Sequence, residues 1–141
     1  MWGLRARAHQ PNVVLILTDD QGVSDVSCYW QPSPTPGFAR LQTPHIDRLA
    51  REGAQFDSFY NAASVCTPAR ASLLTGCYPP RVGFGNKQSG PGVLTPESHT
   101  GLHPDETTLA EVLKSAGYAT GCVGKWHLGH RAAFLPTAQG F

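Results

Sequence analysis

A cysteine, a proline and an arginine occur at a spacing that suits the chemistry of an oxyanion. Cys66 lies just before Thr67-Pro68, a pair typical of a helix start, and Arg70 follows one helical turn later. A helix N-terminus presents backbone N–H groups and a positive dipole end, and a guanidinium one turn along can bind the same anion. The pattern indicates a nucleophile at an anion-binding helix end. The alternative is a buried cysteine before an ordinary helix whose arginine is solvated.

A lysine and a histidine lie two residues apart near the C-terminus of the chain, at Lys125 and His127. If this segment is extended, both side chains point the same way and Trp126 points the other way. A lysine and a histidine that converge at a strand end suit anion binding and proton transfer. The alternative is an exposed lysine and histidine on either side of a packed tryptophan.

Two adjacent carboxylates, Asp19 and Asp20, follow directly after the apolar run over residues 11–18. In parallel α/β sheets, binding sites collect at the carboxyl ends of the strands. Adjacent carboxylates repel each other, and a hard cation such as Ca²⁺ or Mg²⁺ would relieve that repulsion. The alternative is a turn over residues 19–22 that only ends the strand.

The elements that must position these residues follow from apolar patterning and from capping residues. The continuous, β-branched run 11–18 predicts a strand buried on both faces, and further strands are predicted over 55–60 and 119–123. Three helices are predicted to start at Thr43-Pro44, at Thr67-Pro68 and at a Thr108–Glu111 capping box, and to end at Gly53, Gly76 and Gly117. This order predicts an α/β fold, with a mostly parallel sheet flanked by helices.

Composition excludes several classes of protein. The 141 residues carry a net charge of +1 without a basic block, which argues against nucleic-acid binding. The longest apolar run, Val13 to Leu17, is too short to span a membrane, and residues 1–10 form a tail without the apolar core of a signal peptide. The four cysteines show no CxxC spacing. The regular patterning of the chain argues against a disulfide framework.

Taken together, these segments resemble the sulfatase family, which has the alkaline-phosphatase-like α/β fold. Residues 65–76 resemble its first signature and residues 124–129 its second, and residues 11–20 resemble its first strand and metal-binding pair. The resemblance covers residues 11–141 as the N-terminal part of a catalytic domain, which is expected to be incomplete. Residues 92–94 and 109–113 look most like the arylsulfatase A and galactosamine-sulfatase branch.

The resemblance implies that a formylglycine-generating enzyme oxidises Cys66 to formylglycine. It also implies that Asp19, Asp20 and the modified Cys66 ligate Ca²⁺, in preference to Mg²⁺. Ala69 stands where the family usually has a serine, but the C-x-P-x-R core is present. Modification is therefore still expected, at lower efficiency.

The remaining site residues also take their roles from the resemblance. Arg70 and Lys125 are expected to stabilise the aldehyde hydrate and the sulfate charge, and His127 to move protons at the hydrate. Family members are longer than this chain, so a further metal-binding pair, a second histidine and a second lysine are expected beyond residue 141.

The implied activity is hydrolysis of sulfate esters, either small molecules or sulfated glycans and glycolipids. An extracytoplasmic location (lysosomal, periplasmic or secreted) is implied, although no signal peptide is visible. One rival is a phosphomonoester or phosphonate hydrolase of the alkaline phosphatase superfamily. The other is an inactive, truncated sulfatase remnant, and the 141-residue chain alone is expected to be inactive.

Overall fold

The computed structural model describes residues 10–30, 37, 41–85 and 92–141. Residues 1–9 of the predicted tail and residues 86–91 of the predicted loop over 77–104 lie outside the described residues. The chain divides into two compact units between Gln55 and Phe56. The first unit carries the aspartate pair, and the second carries the cysteine, arginine, lysine and histidine of the predicted site.

Three α-helices form where helix starts and stops were predicted: α1 over Pro44–Glu52, α2 over Cys66–Thr75 and α3 over Leu109–Ser115. Thr43 and Gly53 are the N-cap and C-cap residues of α1, and Gly76 ends α2 in a left-handed conformation with φ 67°. The capping box of α3 is confirmed, because the Thr108 side chain accepts from the Glu111 N–H and the Glu111 carboxylate accepts from the Thr108 N–H.

Helix α2 begins two residues earlier than predicted. Val65 is its N-cap residue, and the Val65 carbonyl accepts the first helical hydrogen bond, from the Ala69 N–H at 3.1 Å. Cys66 therefore lies inside the first turn instead of before it. The hydroxyl of Thr67 was predicted to sit at the helix start, but it is used by another segment, as described below.

The predicted sheet is not confirmed. None of the described residues, including those at 11–18, 55–60 and 119–123, is part of a β-strand. The predicted burial of residues 11–18 is wrong, since Val14 is 81% exposed and Ile16 is 76% exposed. A strand requires hydrogen bonds to a neighbouring strand, and no described segment supplies one for this run.

The first unit is held by a cluster of polar side chains. Buried Ser27 donates from its hydroxyl to Asp47 Oδ2 at 2.6 Å and accepts from the Thr43 N–H at 3.0 Å. Thr43 in turn donates to Asp47 Oδ1 at 3.1 Å. These bonds fix the start of α1 to the segment that follows Asp19 and Asp20, where Val23–Asp25 forms a short 3₁₀ helix.

The second unit has an apolar core that gathers the loops around α2. Its buried members are Ala71, Val82, Phe84, Leu94, Leu102 and Leu128, and Leu74, Cys77 and Trp126 pack against them. The loop over 77–104 contains a 3₁₀ helix, Pro79–Val82. Arg81 on this helix binds both carboxylate oxygens of Glu106 at 2.6 Å, and this contact raises the pKa of Arg81. Two further 3₁₀ helices, Ala132–Phe134 and Pro136–Ala138, follow Leu128.

No helix in the described ranges has both the length and the apolar character needed to cross a membrane.

Candidate functional site

The N-terminal turn of α2 carries the predicted nucleophile. Cys66 is the first helical residue and is a half-buried free thiol, whereas Thr67 and Pro68 are buried. The first N–H groups of a helix have no carbonyl partner within the helix and, with the dipole, attract negative charge. The predicted combination of a cysteine and an anion-attracting helix end is therefore present, with the cysteine two positions deeper in the helix than expected.

Arg70 and Lys125 meet in the second unit, although 55 residues separate them. Arg70 Nη1 donates to the backbone carbonyl of Lys125 at 2.6 Å. A guanidinium carries five N–H donors, so this one bond orients Arg70 and also holds the backbone of the Lys125 segment. The structure brings the two predicted anion-binding residues together.

His127 has an unusual backbone and a defined ring environment. Its φ is 61°, one of two positive values outside glycine among the described residues. Such a left-handed conformation costs on the order of 1–2 kcal/mol and often marks a functional site. The ring Nε2 lies 2.8 Å from the Leu94 carbonyl oxygen, and Nδ1 is buried without a hydrogen-bond partner.

The contact with Leu94 identifies the protonated nitrogen of His127. A carbonyl oxygen can only accept a hydrogen bond, so Nε2 carries the proton. In the neutral ring Nδ1 then has a lone pair, and a buried Nδ1–H without an acceptor would be costly. His127 therefore presents Nδ1 as a proton acceptor inside the second unit.

Thr67 connects these parts, and the sequence analysis gave it no role beyond the helix start. Its hydroxyl donates to the His127 carbonyl at 3.1 Å and accepts from the Leu94 N–H at 3.2 Å. Thr67 has no exposed surface and Leu94 is 4% exposed. No sequence signal revealed this role, because the partners lie 27 and 60 residues away along the chain.

The segment 124–129 is not regularly extended, because Gly124 and His127 have φ values of 97° and 61°. The predicted alternation of Lys125 and His127 against Trp126 therefore does not describe its geometry. Trp126 is nevertheless packed as expected: its indole N–H donates to the Phe134 carbonyl at 2.8 Å. Its ring also meets Phe141 edge-on, with the centroids 6.0 Å apart.

Two glycines allow this segment to pass close to its neighbours. A Cβ on Gly101 would lie 2.5 Å from the Leu128 carbonyl oxygen, and a Cβ on Gly129 would lie 2.5 Å from the Phe134 side chain. The Leu102 N–H donates to the Leu128 carbonyl at 2.8 Å at this crossing. The backbone that follows His127 is thus packed closely against Gly101, Leu102 and Phe134.

An open groove of about 550 Å³ borders His127. Its walls are mainly apolar and include Leu94, Pro96, Trp126, Leu135 and Pro136. The imidazole of His127 lies at one side, and exposed His130 also lines the groove. The arrangement places an apolar surface beside the proton-accepting ring.

The aspartate pair lies in the first unit, and both aspartates are exposed. Asp20 has a φ of 56°, the other positive value outside glycine among the described residues. No group of three or more His, Cys, Asp or Glu side chains able to hold a metal occurs among the described residues. Shared ligation of a cation by the aspartates and Cys66 stays a prediction.

The remaining cysteines and histidines show no competing site. Cys28, Cys77 and Cys122 are free thiols, and none lies in the first turn of a described α-helix. The other described histidines are exposed: His45, His99, His103 and His130. His9 lies outside the described residues.

Comparison with known proteins decides the family. The profile of the family described as Sulfatase matches residues 11–141. This chain belongs to the sulfatase family. The segments that the sequence analysis compared with sulfatase signatures all lie inside the matched range.

Sulfatase relatives match nearly the whole chain. Human arylsulfatase A is 50% identical over 138 residues, which cover 96% of this chain and 25% of that protein. Pig N-acetylgalactosamine-6-sulfatase is 45% identical over 141 residues, covering 99% of this chain and 26% of that protein. The predicted similarity to these two branches is confirmed, and this chain spans about a quarter of the length of either relative.

A solved structure shares the fold of the chain. The crystal structure of Ps i-CgsB matches with a TM-score of 0.80 and 35% identity, covering 94% of this chain and 27% of that one. The same protein in complex with k-i-k-neocarrahexaose matches with a TM-score of 0.71 and 33% identity, covering 87% of this chain and 25% of that one. The described residues therefore adopt the fold of the corresponding part of these structures.

Proposed function

We propose that this chain carries the nucleophile of an enzyme that hydrolyses sulfate esters. One observation carries the proposal. Cys66 lies in the first turn of α2. Thr67 in that turn donates its hydroxyl to the His127 carbonyl, and Arg70, one turn further along, donates to the Lys125 carbonyl. Family membership supports the reaction class, and this arrangement supplies the residue types that the reaction needs.

Cys66 is proposed to be oxidised to formylglycine by a formylglycine-generating enzyme. Support comes from the C-x-P-x-R pattern, which Cys66, Pro68 and Arg70 complete. As its hydrate, a formylglycine at position 66 would supply one hydroxyl to attack sulfur and a second whose deprotonation expels sulfate. A thiol or a serine hydroxyl has no second group for that last step.

The cationic side of the site would offset the charge of the ester. A sulfate ester is an anion that repels nucleophiles, and its charge shifts towards the leaving oxygen in the transition state. Donors and positive charges that are already oriented at that position stabilise it without reorganisation. The α2 N-terminus, Arg70 and Lys125 are proposed to fill this role, and the bond to the Lys125 carbonyl orients the Arg70 guanidinium.

His127 is proposed to transfer protons at the modified Cys66. The ring contact with Leu94 leaves Nδ1 as the nitrogen that can accept a proton. A positioned histidine typically contributes about 10²–10⁴-fold to such a reaction. The supporting backbone around Trp126 and Gly129 holds the ring in one orientation.

Asp19 and Asp20 are proposed to ligate Ca²⁺, which would act as a Lewis acid on a sulfate oxygen. Carboxylate oxygens are ligands that Ca²⁺ prefers, so the chemistry of this pair fits the ion. Two carboxylates offer at most four oxygens, whereas Ca²⁺ takes 6–8. The aspartates therefore account for part of the coordination shell only.

The groove beside His127 is proposed to receive the organic part of the ester. Its apolar walls suit an aryl group or the apolar face of a sugar ring. Sulfated glycans and glycolipids are included because N-acetylgalactosamine-6-sulfatase is a relative and because Ps i-CgsB has been crystallised with an oligosaccharide. An extracytoplasmic location is part of the proposal, as the sequence resemblance implied.

The test combines mass spectrometry and matched assays. The chain is co-produced with a formylglycine-generating enzyme. The mass of the peptide that contains residue 66 is then measured for the wild type and for Cys66→Ser, which should not be converted. The modified chain, and a sulfatase extended through the rest of the catalytic domain, are then assayed with a nitrophenyl sulfate and a nitrophenyl phosphate. We expect aldehyde at position 66, and sulfate release by the extended protein only.

Two outcomes would contradict the proposal. An unmodified thiol, in a preparation where a control sulfatase is converted, would remove the proposed nucleophile. Faster hydrolysis of the phosphate ester would favour the phosphomonoester or phosphonate hydrolase instead. Turnover by the 141-residue chain alone would contradict only the expectation that the isolated chain is inactive.

A further inference from the structure

Three segments of the second unit meet at one buried hydroxyl. The Thr67 hydroxyl donates to the His127 carbonyl at 3.1 Å and accepts from the Leu94 N–H at 3.2 Å. The Leu94 carbonyl then accepts from the His127 ring Nε2 at 2.8 Å. These three bonds form a closed circuit, in which Thr67 touches the backbone of both residues that determine the state of the imidazole.

We propose that Thr67 is the positioning residue that selects the tautomer of His127. The hydroxyl binds the Leu94 N–H and so holds in place the residue whose carbonyl faces Nε2, and it binds the His127 carbonyl so that the ring can reach Leu94. Nε2 is then the donor, and Nδ1 is the nitrogen left to accept a proton. This inference rests on the proposed role of His127 in proton transfer and adds the reason why one particular nitrogen performs it.

Burial makes the hydroxyl hard to replace. Thr67 has no exposed surface and Leu94 is 4% exposed, so water does not reach the hydroxyl to substitute for it. A hydroxyl can donate and accept at the same time, and Thr67 uses both capacities on the circuit. Removing it would leave the Leu94 N–H and the His127 carbonyl without this partner in a buried place, which is costly.

The left-handed backbone of His127 makes the same contact necessary. With φ at 61°, the residue occupies a conformation that a chain leaves unless its surroundings hold it there. The Thr67 hydroxyl binds the carbonyl of that same residue. Loss of the bond would therefore release the conformation as well as the ring contact.

Another threonine in α2 provides a matched control. Thr75 also donates its hydroxyl to a backbone carbonyl, at 2.8 Å, but the acceptor is Ala71 in the same helix. The change Thr75→Val removes a hydroxyl from the same helix without touching the circuit. Thr67→Val removes the circuit hydroxyl at nearly constant volume, and Thr67→Ser keeps the hydroxyl without the methyl group.

The experiment records a nitrogen NMR spectrum of the 141-residue chain, isotopically labelled in its histidine rings. The His127 signal is assigned as the one that disappears in the His127→Asn variant. Ring nitrogen shifts report which nitrogen carries the proton, whether or not Cys66 is modified and whether or not the chain turns over substrate. We expect the Nε2–H tautomer in the wild type, in Thr67→Ser and in Thr75→Val. In Thr67→Val we expect the ratio of the Nδ1–H tautomer to the Nε2–H tautomer to rise about fivefold. The loss of one typical hydrogen bond changes an equilibrium constant by about this factor.

An Nδ1–H tautomer in the wild type, or an unchanged tautomer ratio in folded Thr67→Val, would overturn the proposal. If Thr67→Val does not fold, Thr67→Ser decides the matter, because a changed tautomer despite the retained hydroxyl also overturns it. A change of equal size in Thr75→Val would do the same. A failure of the proposed sulfatase activity would appear in the mass spectrometry and the assays and would leave this measurement unaffected.

Discussion

Among the described residues, two outside glycine have a left-handed backbone, and they stand in contrasting surroundings. His127 lies in the second unit, with its carbonyl bound to Thr67 and its ring bound to Leu94. Asp20 lies in the first unit at the end of an exposed apolar segment. The residues proposed to bind the anion are thus held by contacts within their own unit, whereas the segment that carries the aspartates is exposed along its length.

The difference indicates which part of the proposed site has a fixed geometry before any ligand binds. Buried hydrogen bonds and apolar contacts keep the side chains near α2 in one geometry, which is a requirement for catalysis by orientation. The segment that carries Asp19 and Asp20 is exposed, and the proposed cation would add ligand bonds to both carboxylates. Three changes would break or sharpen this comparison.

The largest expected effect on stability comes from comparing one leucine-to-alanine change in the core of the second unit with the same change in the exposed segment of the first unit. Leu128 has no exposed surface, and Leu15 is 55% exposed. Leu128→Ala should reduce the free energy of unfolding by about 2–5 kcal/mol, because it leaves a cavity in the core. Leu15→Ala should change it by less than about 0.5 kcal/mol. Urea unfolding of the two variants measures the contrast, and equal losses would contradict the assignment of the core to the second unit.

An intermediate effect on the free energy of unfolding is expected when glycine replaces Asp20 or His127, each of which has a left-handed backbone. Glycine removes the backbone strain, and this gain roughly cancels its greater entropy in the unfolded chain. Asp20→Gly should therefore stay within about 0.5 kcal/mol of the wild type. His127→Gly also loses the Leu94 contact and ring packing, and it should cost about 1–3 kcal/mol.

Thermal and urea unfolding of this pair, in the absence of added metal, provide the measurement. A stabilised His127→Gly variant would show that the ring contact contributes less than the strain. Destabilisation of Asp20→Gly by several kcal/mol would reveal that the aspartate segment is as firmly held as the histidine segment.

The smallest effect concerns calcium. With at most four carboxylate oxygens from Asp19 and Asp20, the 141-residue chain should bind Ca²⁺ with a dissociation constant on the order of 10⁻³ M or weaker. Asp19→Asn should weaken binding by about tenfold, which is about 1.4 kcal/mol. Exposed Asp57 serves as the control, because Asp57→Asn should leave the titration unchanged. Calorimetry with CaCl₂ that gave a micromolar constant would mean that the chain supplies a nearly complete shell.

Local signals were sufficient to place the three helices to within two residues at each end. The Thr43-Pro44 start and the Thr108–Glu111 capping box depend on side chains within one turn of the backbone they bind, so a short stretch of sequence contains both partners. The C-x-P-x-R segment and the Lys125–His127 pair could be recognised in the same way. The start of α2 was misplaced by two residues because Val65, which has no capping side chain, is its N-cap residue.

The strands could not be judged from the sequence alone. An apolar, β-branched run such as residues 11–18 favours a strand wherever neighbouring strands pair with it. In the described residues this run has no such neighbour, and its side chains are exposed. Pairing is a property of two segments, and a pattern in one of them does not reveal the other.

The sequence by itself determined the residue types of the site, the reaction class that they suit and the family to which the chain belongs. Only the tertiary structure decided that Arg70 binds the Lys125 carbonyl, that His127 adopts a left-handed backbone and that Thr67 joins His127 to Leu94. The physical reason is that these contacts join residues 27–60 positions apart. Such contacts form only when the buried core brings the segments together, and no local propensity encodes them.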